Sequence, residues 1–135
     1  MAGYSGRPVV EKLGIKPGYR VLVINAPARY REILRPLPHG VSVLSRPANN
    51  VDLIHLFVSR RAEIEKELPR QRRIMPDSGV LWVSWPKKAS GLSTDMTEDV
   101  VREVALPLGL VDIKVCAVDD VWSGLKLMVR RELRA

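Results

Sequence analysis

Cysteine, histidine and phenylalanine are scarce in this chain. Cys116 is its one cysteine, His39 and His55 are its two histidines, and Phe57 is its one phenylalanine. A single thiol excludes an internal disulfide framework. Two isolated histidines and one cysteine offer no metal-ligand spacing. No apolar run approaches the roughly 20 residues that span a bilayer. Residues 1–7 lack the apolar core of a signal peptide, so a reduced, cytoplasmic setting is expected. With three Trp, three Tyr and one Phe, no ladder alternates basic and aromatic residues as in single-strand nucleic-acid binders. No nucleophile–base–acid set can be assembled either.

What is there is apolar and basic. The chain has 135 residues, 46% of them hydrophobic, which suits one domain over residues 1–135 with its own core. Net charge is +7, carried by 15 arginines and 7 lysines. A basic surface attracts nucleic acid, anionic lipid or phosphorylated small molecules. The bland alternative is solubility, since the cations are spread along the whole sequence.

Apolar runs and breakers set out the elements. Residues 5–13 read as a short helix that Gly14 stops. Residues 20–25 are a fully apolar run, the mark of a central parallel strand. Pro27 opens a helix to about residue 34, closed by Pro36 and Pro38. Strands follow over 41–44 and 51–58. Ser59 caps a helix over 60–73, with Ile64, Leu68 and Met75 on one face. A strand over 79–85 comes next, then a helix that Thr97 caps and Pro107 and Gly109 end. Residues 111–118 and 125–130 form strands with no helix between them, hence an antiparallel hairpin. The predicted fold is α/β: a Rossmann-like open, mostly parallel sheet of about six strands, flanked by helices, with the C-terminal β-hairpin at one edge.

In such a sheet ligands sit beyond the carboxyl ends of the strands, where strand order reverses. Four loops should meet there: 25–27, 59–61, 86–91 and 119–124. The candidate ligand-binding residues are Asn25, Lys87, Lys88, Ser90, Gly91, Asp119, Asp120 and Trp122. Lys87 and Lys88 can neutralise a phosphate or carboxylate, and Ser90 with the Gly91 backbone can donate to it. The glycine spacing is not that of a Walker loop. Each role has a plainer alternative. The lysines suit a solvated turn, the Asp pair suits hairpin-turn chemistry, and Trp122 can cover a sheet edge instead of stacking a ligand. His55, inside an apolar strand, reads as a satisfied core histidine, Cys116 as packing, and His39 as an exposed turn residue. Trp82 and Trp85 have odd separation and should face opposite helical layers.

The order of elements resembles the class I S-adenosylmethionine-dependent methyltransferase core with elements missing. Residues 12–24, Lys-Leu-Gly-Ile-Lys-Pro-Gly-Tyr-Arg-Val-Leu-Val-Ile, resemble the approach to that family's first cofactor motif. Residues 52–56 resemble its mid-sheet strand and residues 78–83 a later one. The family uses a Gly-rich turn after the first strand and an acidic residue ending the second, for the ribose hydroxyls. Here Asn25-Ala26-Pro27-Ala28-Arg29 and Ser45-Arg46-Pro47 stand in those places. The expectation is a degenerate fold with no competent S-adenosylmethionine site, no cofactor and no methyltransferase activity. Residues 3–6, 13–18, 85–91, 97–102, 108–112 and 122–126 also resemble a small family of uncharacterised bacterial proteins, which implies no activity. The leading functional expectation is a non-enzymatic domain binding a small anionic or phosphate-bearing ligand. The alternatives are a nucleic-acid binder using Arg29, Arg31, Arg35, Arg70, Arg72 and Arg73, and a ligand-free interaction domain with Trp122 filling the crevice.

Overall fold

The computed structural model describes residues 7–134. Ser5 and Gly6, the start of the first expected helix, and the 3–6 segment of the family resemblance lie outside the described residues. Six strands form one sheet: β1 (Arg20–Ile24), β2 (Ser42–Leu44), β3 (Leu53–Phe57), β4 (Val80–Pro86), β5 (Leu110–Ala117) and β6 (Trp122–Val129). Their order is β2-β1-β3-β4-β6-β5. The first four are mutually parallel, and β6 runs antiparallel between β4 and β5. The predicted mostly parallel sheet with a reversed edge is what forms. Strands β1, β3 and β4 read as apolar runs because both their faces are covered; all five residues of β3 are buried.

Four helices flank the sheet: α1 (Val9–Leu13), α2 (Tyr30–Ile33), α3 (Arg61–Ile74) and α4 (Glu98–Ala105). One core joins Ile64 and Leu68 of α3, and Val101 and Ala105 of α4, to Leu22, Ile54, Leu81 and Trp85. The other joins α1 and α2 to Val21, Val23, Leu53, Phe57 and Trp82. Trp82 and Trp85 thus face opposite layers, as period-two alternation requires. Among the described residues no helix is long and apolar enough to cross a membrane.

Three details differ from expectation. Helix α2 is one turn long, because Pro27 sits in the preceding turn, where the Tyr30 N–H meets its carbonyl at 3.1 Å. Helix α3 is capped from inside. The Glu63 carboxylate accepts from the N–H groups of Ser59 (2.8 Å) and Arg60 (2.9 Å), so Ser59 contributes backbone and not its hydroxyl. Strand β6 begins three residues early, since Trp122, Ser123 and Gly124 pair with Pro86, Trp85 and Ser84. The Thr97 cap is as expected: its hydroxyl accepts from Val100 N–H at 3.2 Å.

No helix lies between β2 and β3. Residues 45–52 cross from one side of β1 to the other as an irregular connection, with Ala48 and Val51 against the α3/α4 core. Strand order reverses at β1, which places a crevice at the carboxyl ends of β1 and β3.

Candidate functional site

The rim beyond β1, β3 and β4 begins at Asn25. Its φ is +59°, a left-handed conformation that asparagine tolerates far better than most side chains. Its side-chain amide donates to the Phe57 carbonyl at 3.3 Å, tying the end of β1 to the end of β3. At the end of β4, Pro86 is opposite Trp122, and Lys87 N–H donates to the Val121 carbonyl at 2.8 Å. The peptide leaving Trp85 and the turn before Trp122 therefore share one rim.

The structure distributes the candidate residues along that rim. Lys87 and Lys88 enter a short 3-10 turn, Lys88–Ser90, ended by Gly91 at φ +76°. The Ser90 hydroxyl donates to Lys87 O at 2.6 Å and accepts from Leu92 N–H at 3.1 Å. Asp119 accepts from the N–H groups of Val121 (2.9 Å) and Trp122 (2.8 Å), fixing the hairpin turn. Trp122 packs edge-on against Phe57, ring centroids 5.0 Å apart. The predicted basic loop and the hairpin turn are neighbours, and Asn25 reaches them through Phe57.

The cavities lie one step further along. One of about 410 Å³ is lined by residues 26–32, Arg35, and Val43, Leu44 and Ser45 at the end of β2. It fills the gap between the loop after β1 and the end of β2. A second, of about 340 Å³, is bounded by Pro8, Val9, Glu32, Ile33, Arg35, Asp119 and Asp120. The two share Glu32 and Arg35, so α2 separates two halves of one rim-side groove. Glu32 is held by Arg29, which donates to it at 2.8 Å.

Below this groove is a buried polar chain. The Tyr30 hydroxyl is 2.8 Å from His55 Nδ1, and His55 Nε2 is 2.7 Å from Ser84 Oγ. All three residues are buried, His55 completely. Burial pushes the His55 pKa down to about 3 and raises that of Tyr30, so the imidazole is neutral. His55 is the satisfied core histidine that the sequence suggests. Its partners, 25 and 29 residues away, carry no sequence signal. The chain links the start of α2 to β3 and β4 and so fixes the floor of the groove. Trp82 Nε1 donates to Leu13 O at 3.0 Å, anchoring α1 beside it. Among the described residues no cluster of His, Cys, Asp or Glu can hold a metal ion.

No protein-family model matches the chain, and no curated protein matches it in sequence. Solved structures do match. The chain is similar to a SAM-dependent methyltransferase from Aquifex aeolicus at 18% identity, over 90% of this chain and 87% of that one, with TM-score 0.61. It is similar to PigF with SAH at 12% identity, over 82% and 56%, with TM-score 0.60. A precorrin-6y C5,15-methyltransferase from Geobacter metallireducens matches at 12% identity, over 90% and 85%, with TM-score 0.58. At these identities the likeness is one of fold, and the fold is the methyltransferase-like Rossmann sheet.

These neighbours correct two expectations. The domain was expected to be a small-anion binder without a competent S-adenosylmethionine site, and to be no enzyme. Its fold is methyltransferase-like: two of these neighbours are methyltransferases and PigF is seen with SAH, which overturns the reading of a non-enzymatic anion binder. The sequence argument counted the absent glycine and did not foresee that Asn25 takes a left-handed φ at the turn after β1. Three of the six arginines of the basic-helix alternative have partners within the chain. Arg29 pairs with Glu32, Arg70 with Glu67, and Arg72 donates to the Leu108 carbonyl at 3.0 Å.

Proposed function

We propose that this chain is a compact S-adenosylmethionine-binding protein of the methyltransferase type, with its cofactor crevice between residues 26–31 and the end of β2. The observation that carries the reading is the cavity of about 410 Å³ between the loop after β1 and the end of β2, bordering the turn that Asn25 opens. Its size lies within the ~300–1,000 Å³ of small-molecule sites. The methyltransferase-like fold supports the choice of cofactor class.

The residues present fit such a group in a modified way. The Ser45 hydroxyl and the Glu32 carboxylate both line the cavity and can accept from sugar hydroxyls, a task the family gives to an acidic residue ending its second strand. A bound sulfonium supplies an electrophilic methyl group. What the protein must add is alignment and exclusion of water, which needs no nucleophilic triad. The adjoining cavity beside Asp119 and Asp120 is the acceptor side in this reading. Trp122 and the turn carrying Lys87, Lys88, Ser90 and Gly91 lie further along the rim, beyond the Asp119–Asp120 turn. The missing helix between β2 and β3 makes this a trimmed core. Its further likeness to the small uncharacterised bacterial family rests on the Trp85–Gly91 and Trp122–Lys126 segments.

Calorimetric titration with S-adenosylmethionine and with S-adenosylhomocysteine tests the reading. One site per chain is expected, and Ala26→Trp, an exposed position on the cavity wall, should abolish binding without lowering the melting temperature. Failure of the unaltered protein to bind either compound would overturn the proposal.

A further inference from the structure

Opposite residues on neighbouring strands share a face of the sheet. On the α1/α2 face one such row runs Val23, His55, Trp82, Lys126, Lys114. It passes from fully buried side chains to two lysines directly opposite each other. Like charges in that position repel, and neither lysine, nor Lys16 nearby, makes an ion pair among the described residues. Burial, with Lys114 and Lys16 close by, lowers the pKa of Lys126.

The charge continues toward the rim. A cavity of about 270 Å³ is lined by Arg7, Lys12, Lys114, Val115, Cys116 and Ala117. Lys12 is 4% exposed and donates to the Ala117 carbonyl at 2.7 Å. Lys87 lies within electrostatic reach of Lys12 and Cys116. From the Lys114–Lys126 pair to the Pro86–Trp122 pair is four residues along β6, roughly 13 Å at strand rise. That exceeds what one phosphate needs and suits a polymer of phosphates. On the opposite face the ion pairs gather: Arg61 meets Glu65 and Glu103, and Arg102 meets Glu98, Asp99 and Asp112.

We propose that the open α1-side face of the β5–β6 hairpin, built on Lys16, Lys114 and Lys126 with Arg7 and Lys87 at its margin, docks the phosphate backbone of a nucleic acid. The strip presents cations without an aromatic ladder, so it reads charge and not bases. Lys16, Lys114 and Lys126 line neither cavity beside α2, and the proposal does not rest on the cofactor reading.

Fluorescence anisotropy with 20-base-pair RNA and DNA duplexes at 50 to 200 mM salt tests it. Binding is expected at low salt and should weaken steeply as salt rises. Lys114→Gln/Lys126→Gln should weaken binding about tenfold and flatten the salt slope by about 2, near the value for two lost phosphate contacts. Arg70→Gln/Arg73→Gln on α3 should change it less than twofold. The Lys→Gln changes remove the charge and keep a polar, unbranched stem, and unchanged melting temperatures show that the variants are folded. Lys16→Gln, in a turn, gives an independent single-site check. No duplex binding at 50 mM salt, or equal loss in the α3 variant, overturns the proposal. So does tighter binding to phosphatidylserine vesicles or polyglutamate than to either duplex.

Discussion

On the face covered by α3 and α4, charge meets charge. Arg102 joins Glu98, Asp99 and Asp112, and the first two of these lie in the first turn of α4, where its dipole also favours them. On the face covered by α1 and α2, helices of five and four residues leave much of the hairpin bare. There the sheet carries a buried Tyr–His–Ser chain at its centre and opposed lysines at its edge. The difference follows from the connections. Both the β3–β4 and β4–β5 crossovers use long helices packed on one core, whereas only α2 links strands across the other. A face with less helix has room for grooves, and the two rim-side cavities open where α2 is short. Long helices close the α3/α4 face, and the α1/α2 face carries the cavities.

That contrast can be broken by mutation. Trp82→Ala should have the largest effect, about 3–5 kcal/mol in denaturant unfolding, because Trp82 is fully buried and also anchors α1 through Leu13. Leu68→Ala on α3 is the matching control, at about 2–5 kcal/mol. Only the first should also weaken ligand binding on the α1/α2 side. An equal loss of binding in both variants would mean that the faces do not act separately.

Acid should act through the open face as well. His55 is held neutral down to a pKa of about 3 by burial, while the unfolded chain protonates it near 6.5. The unfolded state therefore binds the extra proton between those values. Stability is fully present above about pH 6.5 and is lost as pH falls toward 3, with a slope of up to ~1.4 kcal/mol per pH unit. Chemical denaturation from pH 7 to pH 4 should show this slope, and His55→Asn should flatten it.

Smaller effects sharpen the picture. Tyr30→Phe leaves His55 Nδ1 without its buried partner and should cost about 1–3 kcal/mol. It should also loosen the groove floor, read as weaker cofactor binding beyond the loss of stability. Arg102→Ala, on the ion-paired face, should lower the melting temperature least. Its effect should shrink further in high salt, since exposed pairs are screened.

Much of the fold was legible in local pattern. The apolar runs of β1 and β3, the Thr97 cap and the helix-free link between β5 and β6 each follow from neighbouring residues. The rim was legible too, because a sheet of this order brings the 86–91 and 119–124 loops together whatever their side chains do. The left-handed turn after β1 was not legible at Asn25, since backbone φ is not written in residue type. The groove was missed because its walls, residues 26–32 and 43–45, meet through the parallel pairing of β1 with β2, which local pattern does not show.

The sequence by itself determined the strand count, the reversed edge and the Gly14 and Thr97 caps, because hydrophobic period and capping chemistry act over a few residues. Tertiary structure alone decided that Tyr30, His55 and Ser84 form one hydrogen-bonded chain. It alone set Lys114 opposite Lys126 and opened a cavity beside β2. Those facts depend on register between strands distant in sequence, which is fixed only when both faces of the sheet pack.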